Sequence, residues 1–241
     1  MTSRIRRSAQ FALCAALLPT LSNAAEEQGG QWSGKAAMGY LATSGNTENS
    51  NANTSFAIAY AAGQWKHTFE AFAVHATEDE ATTAEAYDLG WKSERDLTEH
   101  GFLFGGITWR KDRFSGYDTQ LSESVGYGRH LIDKARHRLN AEVGIGARQS
   151  DRTDGIEEEE VIVRGGLSYQ WLLSETAEFS QGFVVESGAE NTYMESVSAL
   201  KAGLIGDLAL VASFTVKNNS SVPVGTEKTD TYSALSLEYG F

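Results

Sequence analysis

Four consecutive carboxylates, Glu157, Glu158, Glu159 and Glu160, follow Asp154 in the stretch DGIEEEE. Adjacent carboxylates repel one another unless cations screen them. Oxygen donors of this kind suit Mg2+ or Ca2+, and a cation held there would bridge to the phosphates of lipopolysaccharide. The same run also reads as a solvated, self-repelling loop, and charge alone favours that reading. Glu78, Asp79 and Glu80 in TEDEATT admit the same two readings. If both runs lie at one mouth of an open lumen, the mouth is negative and prefers cations to anions.

A second stretch, DRFSGYD, carries Asp112, Phe114, Gly116, Tyr117 and Asp118. Asp and Gly form tight turns through side-chain-to-backbone bonds, while clustered loop aromatics and carboxylates also make ligand or partner sites. Ser44, Gly45 and Asn46 supply the residues of a hairpin turn. The five histidines, His67, His75, His100, His130 and His137, form no HExxH and no i,i+4 pair. Ser and His are abundant but scattered, and G-x-S-x-G is absent. No phosphate-cradling glycine loop occurs. The residues therefore assign no catalytic group, no cofactor site and no metal site.

The elements that must position these residues begin after a leader. Arg4, Arg6 and Arg7 precede an apolar core from Phe11 to Leu21, which is too short to span a bilayer as a helix. Ser22-Asn23-Ala24 places small residues at a cleavage site, so residues 1–24 read as a secretory signal peptide and residues 25–241 as the mature domain. The single cysteine, Cys14, leaves with the leader, and the mature chain has neither disulfide nor thiolate chemistry. Losing three arginines takes the formal charge from −12 to −15. That excludes the clustered basic footprint of a nucleic-acid binder. Pro19 lies in the leader and Pro223 in the loop-like NNSSVPVGTEKT, so no proline interrupts a candidate strand.

Beyond residue 25 the apolar residues recur with period two. In HRLNAEVGIGARQ one face is Leu139, Ala141, Val143, Ile145 and Ala147, and the other holds Asn140, Glu142, Gly144, Gly146 and Arg148. In VIVRGGLSYQW, Val161, Val163, Leu167, Tyr169 and Trp171 oppose Arg164, Gly166, Ser168 and Gln170. Twelve strands follow: 31–43, 50–62, 65–75, 83–94, 100–111, 118–131, 138–149, 160–172, 177–187, 193–204, 208–217 and 229–241. Many exceed the usual strand length of about 5–6 residues.

A soluble β-sandwich alternates apolar-in and polar-out, and a membrane barrel alternates in the opposite sense. Three features favour the barrel. Long polar connections alternate with short ones, as outer loops alternate with periplasmic turns when both termini are periplasmic. Trp32, Trp65, Trp91, Trp171, Phe102 and Phe241 fall near one set of strand ends and Trp109 near the other, as in interfacial girdles. Glu142, Arg148, Arg164, Gln170 and Glu186 sit on polar faces, and a sheet spanning a bilayer must close to pair every backbone group. The expected fold is all-β: a closed up-and-down antiparallel transmembrane barrel of about twelve strands, monomeric, in the Gram-negative outer membrane. Leu235, Leu237, Tyr239 and Phe241 form the lipid side of the closing strand, which should pair with QWSGKAAMGYLAT.

Two motifs carry a family resemblance. WSGKAAMGYLATSGNTENSN has the form W-x-G, then G-Y-L-x-T-S-G-N-T-E, and RKDRFSGYDTQLSESVGYGRHLID contains D-x-F-S-G-Y-D followed by S-x-S-x-G-x-G. Both resemble the salt-induced outer membrane protein family, a domain of unknown function in Gram-negative bacteria. The resemblance covers most of the mature chain and implies an outer-membrane β-barrel with salt-linked expression. It supplies no catalytic residues. Alternating apolar residues that end in Phe also resemble the C-terminal signal read by the outer-membrane assembly machinery.

Three functions remain open at this point. The first is a pore or envelope protein for small solutes or ions. The second is a barrel plugged by its own side chains that works through its outer loops. The third is a lipid-modifying enzyme. Expected partners are outer-membrane lipid and lipopolysaccharide, the assembly machinery and divalent cations.

Overall fold

A computed structural model describes residues 30–43, 49–78 and 81–241. The leader, residues 44–48 with Ser44, Gly45 and Asn46, and the pair Asp79 and Glu80 lie outside the described residues. The described residues form twelve antiparallel strands. They are β1 (Gln31–Thr43), β2 (Asn49–Ala62), β3 (Trp65–Glu78), β4 (Ala81–Thr98), β5 (Gly101–Asp112) and β6 (Tyr117–Lys134), then β7 (His137–Arg152), β8 (Glu157–Leu172), β9 (Ala177–Ser187), β10 (Thr192–Ile205), β11 (Leu208–Asn219) and β12 (Thr229–Gly240). Each strand pairs with its sequence neighbours, and β1 pairs with β12 to close the ring. The expected barrel is the observed one.

Alternation sorts the side chains as the period requires. Met38, Val143, Ile145, Val161 and Leu235 point outward and are 60% or more exposed. Arg148, Glu186, Ser236 and Glu238 point inward and are buried. An outer surface lined with large exposed apolar groups and a core of ionised groups is the inside-out arrangement of a membrane-spanning barrel. Trp32, Trp65 and Trp171 are outward-facing at the end that carries both chain termini, here the near end. Trp91 departs from the expected girdle: it faces outward but pairs with Ile107, two residues from the Leu89↔Trp109 pair, and so lies between the two ends. Phe102 departs from the expected girdle. It is 2% exposed inside the lumen, against the His130 ring at 5.0 Å. Gly128 has no side chain there, so the Phe102 ring fills that space.

Strands run further toward the far end than the periodicity suggested. Polar residues 150–152 and 157–159 were expected in a loop, yet Asp151 pairs with Glu157 and Ser150 with Glu158 in the β7–β8 ladder. Arg152 reaches Glu158 at 3.0 Å and Asp154 at 2.9 Å, so cross-strand charges extend the hairpin beyond its apolar section. The connections 113–116 and 153–156 are correspondingly short.

The β1–β12 seam is brief. Its register runs from Lys35↔Gly240 to Met38↔Leu237, against thirteen pairs between β1 and β2. Phe241 lies past the end of β12, yet it continues the ladder. Its N–H donates to Gly34 O at 3.0 Å and its carbonyl accepts from Gly34 N at 2.8 Å. Its ring covers Gly34, where an added Cβ would stand 2.4 Å from the ring. Leu235, Leu237, Tyr239 and Phe241 all face outward, 50–60% exposed.

Candidate functional site: the sealed far end of the lumen

The inward positions near the far end are charged, and the cylinder is narrow enough for them to meet across it. Arg148 on β7 is fully buried. It donates to Glu160 Oε1 on β8 at 2.5 Å and to Asn191 O in the β9–β10 connection at 2.5 Å. The other oxygen of Glu160 accepts the backbone N–H of Glu190 at 2.8 Å. Arg110 on β5 makes a two-pronged contact with Glu186 on β9, at 3.1 and 3.4 Å, and lies over the Tyr193 ring at 4.3 Å. Ser122 donates to the same carboxylate at 3.0 Å. Lys217 on β11 reaches Asp88 on β4 at 2.5 Å, and Tyr232 on β12 donates to Asp112 on β5 at 2.8 Å. The strands of these last two pairs stand five places apart in the ring, so the bonds bridge the lumen.

This packing leaves a void of about 10 Å³ between Asp88, Arg110, Asp112, Tyr117, Tyr193 and Lys217. That volume is about one water-sized probe sphere. Deeper in the lumen Lys92, Glu142 and Arg164 form a second tier. Lys92 contacts Glu142, and Arg164 meets the same carboxylate at 2.9 Å.

Above the ion pairs lies a strap, residues 220–228, which joins β11 to β12. Tyr117, across the barrel on β6, donates its hydroxyl to Ser221 O at 2.9 Å. Asn191 bonds Asn219 at 2.7 Å and accepts from Ser221 N at 3.2 Å. Pro223 rests on Gly116, whose φ of +84° favours glycine, and an added Cβ there would sit 2.6 Å from the proline ring. The near end differs. Ser33, Lys35, Lys66, Ser168 and Gln170 face the lumen there and are exposed. Among the described residues the lumen is therefore a polar cup, closed at the far end and exposed at the near end.

The residues singled out in the sequence are divided by this geometry. Asp112 and Tyr117 meet at the small void and hold the seal. Asp118 is exposed and takes no part in it. The glutamate run, read as an outer loop leading into a strand at Glu160, lies wholly in the start of β8, and strand alternation splits it. Glu158 and Glu160 turn inward onto Arg152 and Arg148, while Glu157 and Glu159 are exposed. Among the described residues no cluster of three or more His, Cys, Asp or Glu is placed to hold a metal ion. His67 Nδ1 meets Ser93 Oγ at 2.8 Å on the outer surface, and it has no carboxylate partner among the described residues. Arg148 and Glu186 stand on the polar faces read from the sequence. Arg110, Asp88, Lys217 and Asn191 were missed, although inward parity and charge marked the first three.

A family model described as "Protein of unknown function, DUF481" matches residues 36–241. The chain belongs to this family. It is 32% identical over 202 residues to the uncharacterized protein YdiY of Escherichia coli strain K12, covering 83% of this chain and 80% of that protein. Among solved structures it resembles the NanC porin, with a TM-score of 0.51 at 12% identity, covering 86% of this chain and 97% of that one. The fold is thus porin-like, and the family resemblance read from the two motifs is borne out.

Proposed function

We propose that this protein is an outer-membrane barrel, exported with a cleaved leader and seated with its near end in the periplasm, and that it forms a normally closed pore for small solutes or ions. The observation behind this reading is the asymmetric lumen: ion pairs and the strap seal one end, and solvated polar walls line the other. The seal is built from charges rather than an apolar core. Buried ion pairs give little net stability over well-packed apolar residues, but they rehydrate readily once a cover moves. The outward run Leu235, Leu237, Tyr239 and Phe241 would serve as the signal for the assembly machinery. The salt-linked name of the family fits a barrel whose expression follows osmotic conditions.

A second reading is a permanent plug, with the outer loops as the working surface. The density of strap bonds around Asn191 favours it. Planar-bilayer recording separates the two. In the pore reading the native barrel is mostly closed, and deletion of residues 222–226 produces steady conductance. A strap-deleted barrel that stays folded and silent selects the permanent plug.

A further inference from the structure

At the far end of the lumen acids outnumber bases. Arg110 is offset by Glu186, Arg148 by Glu160 and Arg152 by Glu158, and Arg152 meets the loop residue Asp154 as well. The remaining base is Lys217, whose ammonium lies on Asp88 at 2.5 Å. In the ladder Lys217 also stands opposite Glu195 on β10 and Asp230 on β12, which share its inward parity. Asp112 lines the small void together with Asp88 and Lys217. One lysine is thus shared by Asp88, Asp112, Glu195 and Asp230. Among the described residues the last three make no ion pair. Asp112 accepts from the Tyr232 hydroxyl and the Phe114 N–H, and Glu195 from the Tyr193 hydroxyl. These donors are neutral, so the carboxylate charge is held in place but not cancelled.

The glutamate run does not supply this excess, because Glu158 and Glu160 are already offset and Glu157 and Glu159 lie on the other parity. Lower in the lumen Lys35 and Lys201 share Glu238, and Lys66, Lys92 and Arg164 share Glu94 and Glu142. The acid excess therefore belongs to the far end, where the passage is narrowest. It is not a chelating site, since among the described residues no three acids are placed to hold a metal ion. It acts as a field. A cleft lined by one sign of charge, with low-dielectric walls, concentrates the opposite ion and repels its own. We infer that the opened lumen passes cations and rejects anions, and that Asp112, Glu195 and Asp230 set this preference. The inference rests on the pore reading above and names the class of solute carried.

The test is the reversal potential of the barrel lacking residues 222–226, recorded in a planar bilayer across a KCl gradient at neutral pH. K+ should be favoured over Cl− by at least about fivefold. The triple variant Asp112→Asn/Glu195→Gln/Asp230→Asn keeps side-chain size and should bring the ratio to about one. Asp230→Asn alone, at a half-buried position, should lower it part-way. Glu123→Gln, whose strand position faces outward beside Ile107, should change nothing. Heat-modifiable migration in detergent gels identifies the variants that fold. Concentrated salt should shrink the ratio, as screening of a field requires. Anion preference, a ratio unchanged in the folded variants, or a ratio indifferent to salt overturns the inference and leaves the pore standing. A folded barrel that carries no current overturns the pore and its selectivity together.

Discussion

The two ends of this lumen are built from the same residue types and behave differently. At the far end Arg148, Glu160 and Glu186 are almost wholly buried, and each has several partners. At the near end Lys66 pairs with Glu94 at 3.3 Å, yet the lysine side chain remains 55% exposed. A charge taken out of water depends on its partners, because removing one leaves the other unpaired in a poor solvent. A charge left in water depends on little. The difference lies in what covers each end, since among the described residues only the far end has a strap.

Arg148→Ala should be the most damaging change, because it strands Glu160 and Glu186. A loss of about 3–5 kcal/mol is expected, read by denaturant unfolding in micelles. A native-like midpoint would show that the far end is as wet as the near one. An Arg110/Glu186 double-mutant cycle should then give a coupling of about 0.5–3 kcal/mol. Near-zero coupling would mean that the two strands do not meet across the lumen. Gly116→Ala opposes a positive φ and the proline above it, costing roughly 1–2 kcal/mol, with more frequent channel opening in bilayers. Tyr117→Phe removes one hydroxyl bond, worth about 1 kcal/mol, and should open the channel less often than the glycine change. Lys66→Ala should cost under about 1 kcal/mol and vanish into the background at high salt. A large effect there would erase the contrast between the ends.

Much of the fold was legible because a strand's faces follow from parity alone. Val161 and Val163 had to share one side with Leu167, and Arg164 and Gly166 the other. The closing strand and its partner were legible for the same reason. Parity does not give height or position around the ring. Nothing in the sequence tells Lys217 that Asp88 stands opposite, since that depends on strand tilt and stagger. Composition also misled at Glu157–Glu159. A run of like charge looks like a loop until its neighbours are seen to include Arg148 and Arg152. Phe102 failed through a similar gap: its place near a strand end was right, but its parity pointed inward, to a space left by Gly128.

The short register between β1 and β12 bears on how the cylinder is made. These strands are the most distant in the chain, so joining them carries the entropic cost of closing a long loop. Few rungs reward that step. Phe241 adds one more, made of two hydrogen bonds, and lays its ring over Gly34, which makes the final residue a clasp. The same edges would be the first to part if the wall were ever unzipped sideways.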